Sequence, residues 1–417
     1  MKESKTLEFK SGKTSSFLKT VSAYANYGVG TIEFGRQDNG EIKGIDNPDQ
    51  FCLDIENMIN DSIHPKPEYS LKVNRNKKLV ILIVQEGRYK PYLYKGKAYK
   101  RSDTATVEVD QLELKRLTLE GSNMYFEELP SEEQKLSFAY FESKLVEKLS
   151  ISKLTDDMLR TLGFFTKDKK YSIAASLFAD ENSFSGIDCA RFGKSISEIL
   201  DRETLTGCSI LKQYDDIVSI FKRYYQFEEI QGFERRTVER IPEEAFREAI
   251  ANALVHRTWD INAHIKVSMY DDKIVITSPG GLPSGISKEE YLTGNISYLR
   301  NPTVGNVFFR LGYIEIFGTG IGRIIENYEL FAQKPTFEVF DNSVSVTLPI
   351  ISFNYSISTD GEKLLQVLSN GMQLSSSEIA EKIGWSKDKT IRTLNSLKLS
   401  GYIEVYGKGR GTKYSKR

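Results

Sequence analysis

A carboxylate, an amide and an imidazole recur at four-residue intervals in the middle of the chain. Glu248, Asn252 and His256 occupy positions i, i+4 and i+8, so on a helix they would project from one face. A carboxylate can orient an attacking water, and an amide oxygen can ligate magnesium. His256 could contact a phosphate or simply cap the end of the helix. The spacing therefore predicts a ligand site on one helix.

A glycine-rich segment follows later in the chain. Gly318, Gly320 and Gly322 alternate with Thr319 and Ile321. Because glycine has no Cβ, its backbone amides can approach phosphate oxygens closely. Together with the acid and the amide, this segment predicts a nucleotide pocket. The simpler alternative is an amphipathic helix with polar groups in water and an unrelated glycine turn.

Composition restricts the class of protein. A chain of 417 residues with 40% hydrophobic content is long enough for roughly two to four domains with cores. Cys52, Cys189 and Cys208 are odd in number and widely spaced, which argues against disulfides and structural zinc and favours a reducing cytoplasm. The longest apolar run, Leu79 to Val84, is too short to cross a bilayer. We therefore expect a cytoplasmic protein without a membrane partner.

Charge is balanced overall but segregated locally. Lys+Arg and Asp+Glu both number 57, so a nucleic-acid surface must come from local clusters. Residues 65–101 hold eleven basic side chains against two acids. The predicted phosphate contacts there are Lys77, Lys78, Arg88, Lys90 and Arg101, with Tyr69, Tyr89, Tyr92, Tyr94 and Tyr99 available to stack on bases. A solvated strand face over core tyrosines is the alternative.

Turn signals and apolar periodicity divide the chain before residue 350 into three segments. Residues 1–116 mix short strands with a helix at Ser15 to Tyr27, which predicts a small α+β domain. Residues 117–235 are mainly helical in pattern and form a linker or the opening of the next domain. Residues 236–350 hold the helix of Glu248, a hairpin and a closing strand, which predicts an α/β sandwich. Strands are predicted at Thr31–Gly35, Leu79–Gln85, Lys97–Arg101, His264–Met269, Lys273–Ser278 and Ser343–Leu348.

The tail, residues 361–417, has the most regular pattern. Three short helical segments with serine caps are followed by two strands around a glycine-rich turn, which predicts a winged helix-turn-helix. Such a fold can place the polar face of its third helix in a DNA major groove. The predicted DNA contacts are Lys387, Lys389, Thr390, Arg392 and Asn395 of that helix and Lys408 and Arg410 of the wing. A protein-interaction module is the alternative.

The N-terminal segment resembles a known family. Glu3-Ser4-Lys5-Thr6-Leu7-Glu8-Phe9-Lys10, then Ser22-Ala23-Tyr24-Ala25-Asn26 and Gly30-Thr31-Ile32-Glu33-Phe34-Gly35, are similar to the Schlafen-type AlbA domain. In the relatives that cut RNA, three carboxylates bind a divalent metal, and the resemblance maps them to Glu3, Glu8 and Asp38. The alternative is that these acids are surface charges on a nucleic-acid-binding fold.

The central segment resembles the ATP-binding domain of the gyrase and histidine-kinase fold. The matching stretches are Glu248 to Arg257, Ser278-Pro279-Gly280-Gly281-Leu282-Pro283, Arg300-Asn301-Pro302 and Gly312-Tyr313-Ile314-Glu315 with Gly318-Thr319-Gly320-Ile321-Gly322. The resemblance implies ATP with magnesium as cofactors, Glu248 as general base, Asn252 as magnesium ligand and the three glycines as a phosphate lid. Ser278-Pro279-Gly280 stands where the wider fold reads adenine with Asp-x-Gly, so Gly280 borders the base and adenine recognition stays open.

The complete chain is predicted to be an α+β multidomain protein. The order of AlbA-like domain, gyrase-type α/β sandwich and winged helix resembles a prokaryotic family described as transcriptional regulators. This implies DNA as partner, with RNA as an alternative, and a homodimer where operators are palindromic. The first hypothesis is a DNA-binding regulator whose nucleotide modulates nucleic-acid binding. A metal-dependent nuclease targeted by the winged helix and a scaffold with a vestigial pocket are the alternatives.

Overall fold

The computed structural model describes residues 2–231, 234–283, 286–293, 298–315, 318–329, 331–351, 359–368, 372–399, 402–407 and 411–416. The chain divides into two compact units, Met1–Leu129 with Pro283–Ile286 and Pro130–Leu282 with Ser287–Arg417. Each combines helices and sheets, so the architecture is mixed α+β and multidomain. Within the described ranges, none of the helices has both the length and the apolar character needed to cross a membrane.

The first unit is built on a four-stranded sheet. Its elements are β1 (Leu7–Lys10), α1 (Phe17–Tyr27), β2 (Gly30–Phe34), α2 (Pro48–Ser62), β3 (Ile63–His64), β4 (Tyr69–Asn74), β5 (Leu79–Val84), β6 (Leu93–Tyr94), β7 (Tyr99–Ser102), β8 (Ala105–Glu108) and α3 (Gln111–Gly121). The sheet order is β1-β2-β5-β4, with β1 and β2 parallel. Phe17 and Val21 of α1 and Ile55 and Ile59 of α2 are buried in one core with Leu82 of the sheet. Helix α1 confirms the helix predicted at Ser15 to Tyr27, and β2 and β5 confirm the strands predicted at Thr31–Gly35 and Leu79–Gln85.

The second unit begins with a six-stranded sheet and its helices. Its elements up to residue 349 are α4 (Ala139–Leu149), α5 (Asp156–Thr161), α6 (Ile173–Phe178), β9 (Ile187–Phe192), β10 (Ile199–Leu205), α7 (Ile210–Tyr225), β11 (Gln226–Gln231), β12 (Glu234–Glu239), α8 (Glu243–His256), β13 (Ile265–Met269), β14 (Lys273–Pro279), α9 (Lys288–Thr293), α10 (Pro302–Arg310), α11 (Gly320–Asn327), β15 (Thr336–Phe340) and β16 (Ser343–Pro349). The order is β10-β9-β13-β14-β16-β15, in which β9 and β13 are parallel neighbours. The predicted hairpin is β13 and β14, and the predicted closing strand is β16.

Residues 117–235, which the sequence predicts to be mainly helical, also contain strands. β9 and β10 form an antiparallel hairpin at one end of the six-stranded sheet, and the register shifts between Ile199 and Asp201, where Leu200 forms a bulge. The prediction of a mainly helical segment was wrong here because the helices before residue 165 are followed by the two strands of this hairpin. β10 is rich in charged side chains and half exposed, so it lacks the apolar run of a buried strand.

The tail forms a smaller body with its own core. Its elements are α12 (Thr359–Val367), α13 (Ser376–Ile383), α14 (Lys387–Leu399), β17 (Ile403–Tyr406) and β18 (Lys413–Lys416). Ser375 and Glu378 form a capping box at the start of α13, and Gly384 ends that helix in the left-handed conformation. Leu364, Leu394 and further apolar side chains from all three helices and β17 are buried together. The predicted order of three helices and a strand pair is observed.

Candidate functional site

Helix α8 presents the predicted acid and amide as a bonded pair. Asn252 Nδ2 donates a hydrogen bond to Glu248 Oε1 at 3.2 Å. Glu248 is buried, and burial raises the pKa of its carboxyl above the ordinary value, against the opposing effects of Arg323 and of the Asn252 hydrogen bond. A carboxylate with a raised pKa is a better proton acceptor near neutral pH. The pair has the chemistry of a general base beside an oxygen ligand.

The start of α11 lies directly on this pair. A Cβ added at Gly320 would stand 2.5 Å from Glu248 Oε1 and 2.7 Å from Asn252 Nδ2, closer than real Cβ contacts. A larger residue here would force the ends of the Glu248 and Asn252 side chains, or α11 itself, to shift. Gly318, just before the helix, has a φ of 72°, whereas a Cβ at Gly322 would meet no atom within 4 Å. The structure thus brings Gly320 to Glu248 and Asn252, while Gly322 faces open space.

Arg323 adds a cation that sequence reasoning missed. Its Nη1 lies 3.8 Å from Glu248 Oε2, and its Nη2 lies 3.5 Å from Glu315 Oε1. Arg323 follows Gly320 by three residues, one turn further along α11, so it shares a helix face with it. That spacing was the signal available in the sequence. A guanidinium beside a glycine-rich helix start can hold phosphate oxygens.

His256 lies at the other end of α8, in a different environment. Its backbone carbonyl accepts a hydrogen bond from Arg300 Nη1 at 3.3 Å. Burial and then the Arg300 charge lower the pKa of its imidazole to about 4. Asn301 Nδ2 donates to the carbonyls of Val255 at 2.7 Å and Arg257 at 2.9 Å. Arg300 and Asn301 therefore satisfy carbonyls at the helix end.

Gly280 is held by packing beside the same helix end. Its φ is +104°, and a Cβ there would stand 2.0 Å from Thr258 Oγ1 and 2.5 Å from Arg300 Nη1. Two residues earlier, the buried Ser278 donates its hydroxyl proton to the carbonyl of Ala253 at 2.9 Å. Packing explains the glycine without a ligand. The Ser278 hydrogen bond links β14 to α8 at Ala253, the residue after Asn252.

The three N-terminal carboxylates predicted to hold a metal have different environments. Glu8 is buried, its Oε1 lies 2.7 Å from Lys10 Nζ, and its Oε2 accepts from Thr20 at 2.7 Å and from Arg101. Glu3 Oε1 accepts from the Phe9 amide at 2.8 Å. Asp38 is exposed in a turn. Over the described residues, including these three, no group of three or more His, Cys, Asp or Glu side chains could hold a metal ion. Lys10 and Arg101 neutralise Glu8 in this structure. The assignment of Glu3, Glu8 and Asp38 as metal ligands stays a prediction.

The basic stretch separates into buried and exposed members. Lys90 is 7% exposed and its Nζ binds Glu86 and Glu120, and Arg101 is 8% exposed and binds Glu8, Thr106 and the carbonyl of Ser4. Both were predicted to contact nucleic acid, and burial in ion pairs prevents this. Tyr92, Tyr94 and Tyr99 are core residues. Lys77, Lys78, Arg88 and Tyr89 remain exposed.

The DNA contacts predicted on the third tail helix, α14, lie in three different environments. Thr390 is fully buried and its hydroxyl donates to the carbonyl of Ser386, so it cannot contact DNA as predicted. Lys389 Nζ lies 2.8 Å from Asp360, and Arg392 lies near Glu326 and Glu329. Lys387 and Asn395 are exposed. Lys408 and Arg410, predicted on the wing, lie outside the described residues.

Comparisons with known proteins agree with two of the predicted domains. Residues 3–110 match the family model Schlafen, AlbA_2, and residues 262–348 match the model described as "Putative ATP-dependent DNA helicase recG C-terminal". The second match includes Gly318, Gly320 and Gly322 but begins after Glu248 and Asn252. The chain therefore has an AlbA plus ATPase-like domain architecture.

One similar solved structure covers nearly all of the chain. A crystal structure of the DIP2311 protein from Corynebacterium diphtheriae covers 99% of this chain and 92% of its own, with 19% sequence identity and a TM-score of 0.48. Among curated proteins, none matches.

Proposed function

We propose that this protein binds nucleic acid and that a nucleotide, ATP with magnesium, bound by its central domain modulates that binding. The observation that carries the proposal is the approach of Gly320 to Glu248 and Asn252. The match of residues 262–348 to a family whose description names ATP and DNA supports it. The AlbA match of residues 3–110 supports a nucleic-acid partner. A winged helix formed by α12, α13, α14 and the β17–β18 pair would supply a DNA-binding end.

The residues present suit a magnesium nucleotide. Magnesium prefers oxygen ligands and is usually held by few protein side chains together with substrate phosphates. Glu248 and Asn252 offer carboxylate and amide oxygens within one helical turn. When bound, magnesium would neutralise phosphate charge. Asn252 would be its protein ligand.

The remaining steps belong to this chain's own side chains. Glu248 would take a proton from an attacking water, which its raised pKa favours. The first backbone amides of α11 and the Arg323 guanidinium would hold phosphate oxygens, since a helix start carries partial positive charge and unpaired N–H groups. Phosphates would compete with Glu248 for Arg323, which lies 3.8 Å from it. Nucleotide binding would thus replace the Arg323–Glu248 ion pair with a contact between Arg323 and a phosphate.

Ser278 supports a preference for adenine over guanine. Its hydroxyl proton is donated to the Ala253 carbonyl, so the oxygen can only accept a hydrogen bond from a ligand. Adenine presents an amino donor at the position where guanine presents a carbonyl acceptor. ATP should therefore bind more tightly than GTP, and Ser278→Ala should reduce the difference between them.

The test is isothermal titration of the full chain with ATP, ADP and GTP in magnesium. We expect saturable binding of ATP by the wild type. Asn252→Ala should weaken it roughly tenfold or more, because the bound magnesium would be left without its protein oxygen ligand. Glu248→Gln should keep binding and lose any turnover. Glu244→Gln, an exposed acid at the start of the same helix, is the matched control and should behave as wild type.

Two outcomes would count against this function. Absence of heat and of thermal stabilisation with every nucleotide would favour the scaffold alternative. Binding that is unchanged in Asn252→Ala would place the nucleotide elsewhere.

A further inference from the structure

Helix α11 joins the candidate nucleotide site to the candidate DNA-binding helix. Its first residue, Gly320, lies on Glu248 and Asn252, as described above. Its last turn carries Glu326, and Glu329 follows just after the helix. The chain therefore places two exposed carboxylates at the end of α11 opposite to the glycine.

These carboxylates face Arg392 of α14. Arg392 Nη1 lies 3.5 Å from Glu326 Oε1 and 3.8 Å from Glu329 Oε2. Arg392 shares the exposed side of α14 with Asn395, three residues later. That side is where a winged helix would meet the phosphates and bases of DNA. Two carboxylates beside this arginine, whose side chain keeps 55% of its surface exposed, would compete with a DNA phosphate for its guanidinium.

The connection between the two ends of α11 is short and well supported. A helix of eight residues spans about 12 Å. Ile321 and Ile324 are buried on one side, and the buried Tyr328 donates its hydroxyl proton to the carbonyl of Pro349 at 2.9 Å. Lys334 Nζ donates to the carbonyls of Tyr328 and Glu329, at 2.8 and 2.9 Å. A shift at Gly320 should therefore be transmitted to Glu326 and Glu329.

We propose that α11 is an autoinhibitory element whose acidic end covers Arg392 and whose displacement by nucleotide phosphates at Gly320 releases α14 to bind duplex DNA. This inference rests on the proposed function for its nucleotide step. A Cβ at Gly320 would already meet the ends of the Glu248 and Asn252 side chains, so a phosphate held between them would press against the helix start. The two ligands then favour the same arrangement, which is the requirement for positive coupling.

The covering interaction can be tested without nucleotide. Glu326→Gln with Glu329→Gln removes both carboxylates from the full-length protein and leaves α14 intact. Affinity for a short fluorescein-labelled duplex DNA of mixed sequence would be measured by anisotropy at low and moderate salt. We expect the double variant to bind roughly fivefold more tightly than wild type, since exposed ion pairs are individually weak.

A matched control separates this effect from net charge. Glu338→Gln with Glu381→Gln removes the same charge from exposed positions on β15 and α13, and should increase affinity by much less. Equal affinities of the two double variants would overturn the proposal. So would an absence of duplex binding in every form of the protein.

The nucleotide step has its own readout. Adding ATP with magnesium should raise the DNA affinity of wild type by about the factor observed for the Glu326→Gln, Glu329→Gln variant, and should leave that variant nearly unchanged. If titration detects ATP binding and DNA affinity does not move, the coupling through α11 is wrong while the nucleotide site stands. If ATP does not bind and the double variant still binds DNA more tightly, the proposed function fails and the covering interaction stands.

Discussion

Arg257, directly after α8, carries its charge into the interior of the second unit. It is 1% exposed, donates to the carbonyls of Ser185 and Ala263, each at 2.7 Å, and stacks over Trp259. Arg257→Met should lower the free energy of unfolding by about 2–4 kcal/mol, because buried carbonyls lose their donor. Arg160→Met, at an exposed arginine, should change it by about 0.5 kcal/mol or less. Denaturant unfolding would measure the free energy of unfolding of both variants. Equal values for the two would contradict the structural role of Arg257.

His256 predicts a pH dependence of stability. Its folded pKa is about 4, below the ordinary 6.5. As pH falls below 6.5 the unfolded chain takes up the proton first, so stability is lost between pH 6.5 and 4. The difference between pKa values of 6.5 and about 4 corresponds to a loss of roughly 3 kcal/mol in the free energy of unfolding across that range. His256→Gln should show a shallower loss than wild type in urea unfolding across that range. Parallel curves for the two proteins would refute this.

Sequence reasoning at single positions succeeded where spacing carried the information. The four-residue interval between Glu248 and Asn252 placed them together because helix geometry is fixed. It failed for Lys90, Arg101 and Thr390, which a list of polar side chains cannot distinguish from exposed ones. Their burial depends on partners that are distant in sequence, such as Glu8 for Arg101, and such partners cannot be predicted from the local sequence pattern.

At the scale of elements, two glycines of α11 make a matched pair. Gly320→Ala would place a Cβ 2.5 Å from Glu248 Oε1, so either the bonded Glu248–Asn252 side chains or α11 must shift. Gly322→Ala meets no atom within 4 Å and should stabilise the helix by about 0.5–1 kcal/mol. We expect thermal unfolding to shift down for the first variant and up for the second. Similar shifts for both would show that Gly320 does not pack as described.

Elements with strong periodicity were predictable, and the sheet order was not. The helix around Glu248, the hairpin of β13 and β14, and the three tail helices follow from apolar spacing, caps and turns. β9 and β10 were both missed; β10 is half exposed and rich in charged side chains, so it resembles a helix surface in sequence. Their pairing beside β13 joins segments far apart in the chain, and local propensity says nothing about it.

At the scale of the whole molecule, zero net charge makes nucleic-acid binding depend on local surfaces. Lys77→Ala with Arg88→Ala tests the first unit, and Lys387→Ala with Lys398→Ala tests α14. Each pair should weaken duplex binding and reduce the salt slope by about 0.9 for each phosphate that is no longer neutralised. Lys167→Ala with Lys170→Ala removes the same charge from exposed positions before α6 and should have little effect. Anisotropy titrations over a range of salt concentrations would measure the salt dependence of duplex binding for the three double variants. Equal salt slopes for all three would contradict nucleic-acid binding at both surfaces.

The bulge at Leu200 has a consequence for how the molecule behaves in concentrated solution. β10 is the outermost strand on its side of the six-stranded sheet, and Ile199 and Leu200 are about half exposed there. A straight edge strand with apolar ends presents backbone N–H and C=O groups with which another chain can pair. The extra residue of a bulge disturbs the regular spacing of these groups and so hinders such pairing. Deletion of Leu200 should therefore promote aggregation, which light scattering at increasing protein concentration would detect.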